Sequence, residues 1–479
     1  MLEITKLLSG LRNGSPEIKK VLESVYNTDA APRIIRLLEH FAARFPEQAK
    51  VAVLRAPGRV NLIGEHTDYN GLPVMPMAID FDMLVALAPR RDRVVNAVNP
   101  DFPDRSFRIE DKIPQYETGD WGNYIKAGVQ GIVDELGGID GLRGFDACFF
   151  GSVPVGGGLS SSSTVVVASA MTVLEATRLK MEPQQLAERM ARAEWYVGTQ
   201  GGGMDHAACI LSQRGKALKI DFFPLRVSPA SIPNGYSIIV ANSMVKASKT
   251  AETRMQYNMR PAMCRIAAAM LARHLDLKNI ERLGDIYFRA GRERMLAALD
   301  ETFTRPSYTR AELAESLGTG LDELDRLYLT TKGGELIPEP PEGFRIGQRA
   351  RHVVTETVRV EESSLVVSLG DGPRFGQLMT QSHASCRDDY EISHPALEDL
   401  VTIGLESGSA GSRLTGAGFG GCTVHLTPDE RVEFVLEAFR KRYYGDAINR
   451  YPEALARYKE RPERALLTLR PAGGARVMF

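Results

Sequence analysis

Phe145-Asp146-Ala147-Cys148-Phe149-Phe150-Gly151-Ser152-Val153-Pro154-Val155-Gly156-Gly157-Gly158-Leu159-Ser160-Ser161-Ser162-Ser163 is the stretch that decides the fold class. Phe145 to Phe150 is mostly apolar and stops at a glycine, which reads as a buried strand. A glycine-serine turn follows, then a long apolar helix from about Ser161 to Leu179. A strand, tight turn and helix in that order form an α/β unit. Three glycines let backbone N–H groups point inward and clear the space a ligand needs. The helix N-terminus adds partial positive charge, so the turn suits phosphate. Four serines supply hydroxyls for phosphate oxygens or a metal ion, although a serine-capped helix after a plain turn has the same sequence. GxxxxGK[ST] occurs nowhere in the chain, which excludes a Walker loop.

The pattern extends in both directions. Residues 1–47 read as a helical extension ending in LLEHFAARF. Val51 to Leu54 reads as a strand stopped by Pro57-Gly58, Met83 to Ala88 as a second strand, and Asn123 to Leu136 as a helix. A helix from about Pro183 to Val197 precedes Gly201-Gly202-Gly203. After Asp221 helical patterns dominate, at Glu252–Leu275, Ile346–Val360, Gly376–Cys386 and Pro395–Ser407, with strands at Tyr236–Ala241, Cys422–Leu426 and Ala465–Leu469. Phe223-Pro224 and Pro229 mark a boundary, giving an N-terminal α/β lobe over 48–225 and a C-terminal α/β lobe over 226–479. The proline-rich 334–344 reads as a surface loop.

At 479 residues the chain has room for about two or three domains. With 59 basic and 60 acidic residues it has no field to attract nucleic acid or an anionic membrane, so neither is expected as a partner. No apolar run reaches the roughly 18 residues of a membrane helix, and the start does not read as a secretory signal. Five scattered cysteines without CxxC point to reduced thiols and a cytoplasmic location.

Two further glycine segments carry chemistry. In Gly58-Arg59-Val60-Asn61-Leu62-Ile63-Gly64-Glu65-His66-Thr67-Asp68-Tyr69-Asn70-Gly71, acids and donors crowd a glycine-bounded turn, which suits reading several sugar hydroxyls. A metal site uses the same residue types, but no second His/Cys cluster completes one. Thr415-Gly416-Ala417-Gly418-Phe419-Gly420-Gly421 matches GxGxxG yet leads into a strand rather than out of one, so a dinucleotide site is rejected and packing near another ligand loop is expected.

Together and in this order, the three segments resemble the motifs of the GHMP small-molecule kinases, which phosphorylate galactose, homoserine, mevalonate and phosphomevalonate. GRVNLIGEHTDYNG is similar to the galactokinase signature. Gly201 to Asp205 and Ser382 to Asp388 resemble the branch of galactokinases and N-acetylgalactosamine kinases. The resemblance implies a two-lobed fold with the site between the lobes. It implies ATP-dependent phosphorylation of the anomeric hydroxyl of D-galactose to galactose 1-phosphate, with Mg²⁺. N-acetylgalactosamine, galacturonate or arabinose is the alternative substrate, and a non-catalytic galactose and ATP sensor the alternative role. The implied catalytic residues are Asp205 and Arg59. An arginine beside a carboxylate favours its ionised form, ready to accept a proton. Implied sugar contacts are Glu65, His66, Asp68, Gly202 and Tyr257. ATP is expected at Gly156, Gly157, Gly158, Ser160, Ser161 and Ser162, with Trp121 and Tyr124 near the base, although either ring also suits the core. Ser162 and Glu194 are the implied Mg²⁺ ligands. A monomer is expected. Two departures stand out. His206 occupies the place of an expected glutamine, which puts a titratable ring beside the base. Thr164 stands where alanine is usual.

Overall fold

The computed structural model describes every residue except 199–200, 247–250 and 332–333, with backbone only at 251–254. Its strands are β1 (Leu2–Glu3), β2 (Lys50–Ile63), β3 (Met75–Pro89), β4 (Val94–Asn99), β5 (Phe102–Arg108), β6 (Phe145–Gly151), β7 (Ala217–Asp221), β8 (Arg226–Ala230), β9 (Tyr236–Asn242), β10 (Gly411–Thr415), β11 (Cys422–Pro428), β12 (Leu466–Leu469) and β13 (Arg476–Val477). The first sheet runs β1-β2-β3-β6-β4-β5, with β13 also on β2. Only β4 and β6 pair in parallel within it.

Strand alternation splits the first sheet between two cores. Ala52 and Leu54 face the helices α4 (Gly122–Leu136), α5 (Ser161–Thr177), α6 (Pro183–Ala193) and α7 (Met204–Leu211). Val51 and Val53 face α1 (Ile4–Arg12), α2 (Pro16–Glu23) and α3 (Ala31–Arg44), through Ile34, Leu37, Leu38 and Phe41. The helical N-terminal segment thus covers one face of this sheet. Burial on both faces explains why its strands read as continuous apolar runs.

β2 corrects the expected stop at Pro57-Gly58. The strand continues to Ile63, because a register shift between Pro57 and Arg59 accommodates the residue that lacks an N–H. This extension carries Arg59 to Ile63 into the second lobe. There β10-β11-β9-β12 form an antiparallel sheet. Around it lie α8 (Ala251–His274), α9 (Leu283–Ala290), α10 (Arg292–Thr302), α11 (Arg310–Leu317), α12 (Leu321–Leu324), α13 (Ile346–Ser368), α14 (Gly372–Asp388), α15 (Pro395–Glu406), α16 (Val432–Ala438) and α17 (Pro452–Glu460). Ile238 and Val240 of β9 pack with Val60, Leu62, Met75 and Met77 from the first sheet, so one apolar seam joins the lobes. Ile239 and Ala241 turn the other way, onto α15 and α16. β13 brings the end of the chain back onto β2. In 334–344 most residues are exposed, but Ile337 and Phe344 are buried anchors.

Candidate active site

The glycine-serine turn joins β6 to α5. Gly156 and Gly158 have φ of 74° and 73°, a left-handed conformation that glycine adopts without strain. Ser160 also has a positive φ, 62°, and local strain of this kind is characteristic of functional turns. Its Oγ is buried without a partner, just before the first residue of α5. An orphaned hydroxyl at the start of a long helix fits a phosphate oxygen. The third glycine segment presses on the turn backbone to backbone. A Cβ on Gly158 would lie 3.0 Å from Thr415 O, and one on Gly416 would lie 2.8 Å from Gly158 O. Ser243 anchors the far end of that segment by donating from Oγ to Gly421 O at 2.7 Å.

Arg59 sits on the extended part of β2, and Asp205 in the first turn of α7. Arg59 Nε donates to Asp205 Oδ1 at 2.9 Å, and Nη2 lies 2.7 Å from the same oxygen. Nη1 donates to Gly158 O, which ties the cation to the glycine turn. The Asp205 side chain is 26% exposed and that of Arg59 only 6%, so the carboxylate opens outward with its cation behind it. Ser163 Oγ donates to Glu194 Oε2 at 2.7 Å and lies 3.5 Å from Asp205 Oδ2.

Glu194 closes α6. Burial raises its pKa, but His206 and the hydroxyls of Ser162 and Ser163 outweigh burial and leave it below the ordinary value. His206 was expected beside the base. Its Nε2 instead lies 2.8 Å from Glu194 Oε2, off the line of a good hydrogen bond. One ionised carboxylate and two hydroxyls are hard oxygen donors suited to Mg²⁺, which usually completes its shell with water and phosphate. Among the described residues no group of three or more His, Cys, Asp or Glu could hold a metal, so such an ion needs the nucleotide's oxygens.

The turn after β2 carries Glu65, His66 and Asp68, all buried. Glu65 Oε2 accepts from Arg413 Nη2 at 2.9 Å. Burial raises the pKa of Glu65, opposed by Arg413 and Arg59. His66 Nδ1 is 2.9 Å from Tyr69 Oη, and Nε2 is 3.3 Å from Ala417 O. Its pKa falls to about 3, chiefly through burial, so the ring is neutral. Asp68 accepts from Met204 N at 3.4 Å. Gly202 lies directly against it: an added Cβ would be 1.9 Å from Asp68 Oδ2. Tyr257 is half-buried, with its ring 5.8 Å from that of His66. Its pKa is raised mainly by burial, then by the charges of Asp68 and Asp205.

The two aromatic candidates divide. Trp121 is a core residue: its Nε1 donates to Pro103 O at 2.8 Å, and its ring packs on Phe102 and Phe149. Tyr124 is half-buried against the same core. Sequence reasoning gave Ser163 no role apart from the other three serines, yet its Oγ bonds Glu194 and lies 3.5 Å from Asp205 Oδ2. It also missed Arg413, whose partner Glu65 is 348 positions away.

Arg59 thus joins Asp205 to the glycine turn, an arrangement compatible with the positioning and charge stabilisation that a small-molecule kinase needs. Comparison with known proteins narrows the class. Residues 39–89 match the galactokinase galactose-binding signature, 123–213 the GHMP kinases N terminal domain and 364–445 the GHMP kinases C terminal domain. The chain is 31% identical over 474 residues to the galactokinase of Dictyostelium discoideum, covering 92% of this chain and 93% of that protein. It is 32% identical over 490 residues to that of Saccharomyces cerevisiae, covering 88% and 90%. The structure of Lactococcus lactis galactokinase complexed with galactose is similar at a TM-score of 0.71 and 25% identity, over 91% of this chain and 98% of that one. Methanococcus jannaschii mevalonate kinase shares the fold, with a TM-score of 0.51 at 17% identity over 82% of this chain and 96% of that one. The chain belongs to the galactokinase family of GHMP kinases.

Proposed function

We propose that the protein transfers the γ-phosphoryl group of ATP to the anomeric hydroxyl of D-galactose, giving galactose 1-phosphate and ADP. The Arg59–Asp205 pair, set between the glycine turn and the hydroxyl-reading turn, carries this reading. Asp205 accepts the proton as the sugar oxygen bonds to phosphorus and the bond to the ADP oxygen breaks. Arg59 offsets charge on the transferring group. The phosphates lie along Gly156, Gly157, Gly158, Ser160, Ser161 and Ser162, with Tyr124 the better placed of the two aromatics for adenine. Glu194 and Ser162, with Ser163 beside them, would hold Mg²⁺, which would neutralise phosphate charge. Glu65, His66, Asp68, Gly202 and Tyr257 line the sugar pocket. The cleft lies between 48–225 and 226–479. We propose a monomer in the cytoplasm. Its five cysteines are all free and buried, and among the described residues no helix is long and apolar enough to cross a membrane.

ATP turnover with Mg²⁺ across galactose, N-acetylgalactosamine, galacturonate, arabinose and glucose tests the proposal. Preference for galactose supports it. Preference for another of these sugars keeps the chemistry and overturns the substrate. Saturable binding of ATP and galactose without turnover overturns the enzyme reading in favour of a sensor.

Two expectations follow from the pocket. Gly202→Ala forces Asp68 to rotate away, so galactose KM should rise about tenfold or more while ATP KM stays within twofold. Equal galactose KM values would show that the turn yields freely. The Asp68 pKa is pushed up to about 6, first by burial and then by the charge of Asp205. Below that value Asp68 is protonated and accepts hydroxyl hydrogens poorly. Galactose affinity, measured calorimetrically without nucleotide, should therefore weaken on acidification, by about tenfold per unit below 6. Asp68→Asn should abolish this dependence, and a flat wild-type profile would remove Asp68 from hydroxyl recognition.

A further inference from the structure

Three residues spaced four apart on α13, in the C-terminal lobe, meet the turn that carries Glu65, His66 and Asp68. Glu356 is fully buried, and its Oε1 accepts from the Gly64 N–H at 2.8 Å and the Glu65 N–H at 3.3 Å. Ser382 Oγ of α14 donates to the same oxygen, while Oε2 accepts from Arg359 Nε at 2.7 Å. One helical turn earlier, His352 Nε2 donates to Glu65 O at 3.0 Å. One turn later, Val360 packs so closely that a Cβ on Gly64 would lie 2.9 Å from its Cγ2. The peptide groups on both sides of Glu65 are therefore held by side chains of a single helix face. These N–H groups lie past the last residue of β2 and have no strand partner, so the carboxylate satisfies donors that burial would otherwise orphan.

We infer that Glu356, with His352 beside it, is the positioning residue that fixes the hydroxyl-reading turn and so sets sugar affinity from the opposite lobe. The inference rests on the sugar-kinase reading and adds a residue that touches no substrate. Burial works against the charge of Glu356, but Arg359, His352, Arg413 and Ser382 overcome it and hold its pKa at about 2, which leaves it a strong acceptor for amides. The glycine turn is supported separately, by Thr415 and the 416–421 segment. Loosening Glu356 therefore acts on the sugar and spares the nucleotide.

The test compares Glu356→Gln and Glu356→Ala with the wild type in two measurements. Amide hydrogen exchange at Gly64 and Glu65 requires no activity. It should accelerate at least tenfold in the Gln variant, while exchange at Ala52 to Leu54 is unchanged. In steady-state kinetics galactose KM should rise about fivefold for Gln and about thirtyfold for Ala, with ATP KM within twofold. A residue that only supports the fold would lower the active fraction and leave both KM values alone. Unchanged amide exchange, or unchanged galactose KM in the Gln variant, overturns the inference whether or not the Ala variant folds. Absence of galactose turnover in the wild type overturns the functional reading instead, and then galactose binding heat without nucleotide takes the place of KM.

Discussion

Asp205→Asn should reduce kcat by about a hundred- to ten-thousandfold, the range for removing a positioned general base. The substitution is nearly isosteric. The amide oxygen can still accept from Arg59 Nε, now 2.9 Å from Asp205 Oδ1, and Arg59 retains its second anchor on Gly158 O. Fold, ATP affinity and galactose affinity should therefore stay near wild type, so the loss falls on kcat rather than on either KM. What disappears is the capacity to take a proton from the sugar hydroxyl. Ser163 Oγ, 3.5 Å from Asp205 Oδ2, cannot substitute, since it already donates to Glu194. Near-native turnover in the Asn variant, checked by a coupled ADP assay, would remove Asp205 from its role. It would leave charge stabilisation by Arg59 as the catalytic role of the pair.

The packing of the third glycine segment against another ligand loop was legible because glycine clusters mark close backbone approach, whereas the meeting of all three segments was implied only by the family resemblance. Element types were legible where apolar residues recur at helical spacing, as in α4, and where an apolar run is bounded by turn signals, as in β6 and α5. Pro57-Gly58 misled because a proline normally ends a strand. Here a register shift accommodates it, and only the partner strand β3 reveals the shift. Trp121 was ambiguous since an indole near a helix start suits a ligand or a core equally, and Pro103 O, eighteen residues away, settles its N–H. The residues behind the site were not legible. Glu356 is one acid among others in the helical pattern Ile346–Val360 and nothing in the sequence singles it out, yet it is buried against amides 291 and 292 positions away. A sequence pattern shows that a charge is present, and only tertiary contact shows that it is paired.

Gly416→Ala should lower kcat/KM for ATP by about a hundredfold. Gly416 has φ of 86°, where any side chain is strained, and its Cβ would lie 2.8 Å from Gly158 O and 3.0 Å from Gly158 Cα. Both obstacles are backbone atoms of the phosphate turn, so no side chain can rotate aside. Gly158 is hemmed in as well, because its own φ is 73° and Thr415 O stands 3.0 Å from where its Cβ would be. The strain therefore displaces the turn, and with it the carbonyl that anchors Arg59. Conformational strain alone costs about 1–2 kcal/mol, and a control separates it from displacement. Gly370 has φ of 74° with nothing within 4 Å of an added Cβ. Gly370→Ala should therefore cost stability similarly yet leave ATP kinetics within twofold. If both variants keep native ATP kinetics, the contact between the two glycine turns is slack. If Gly416→Ala alone fails, and its galactose binding without nucleotide stays within a few-fold of wild type, the third segment serves to hold the phosphate turn against Arg59. That would explain physically why a GxGxxG string leads into a strand here: its glycines make room for a neighbouring backbone.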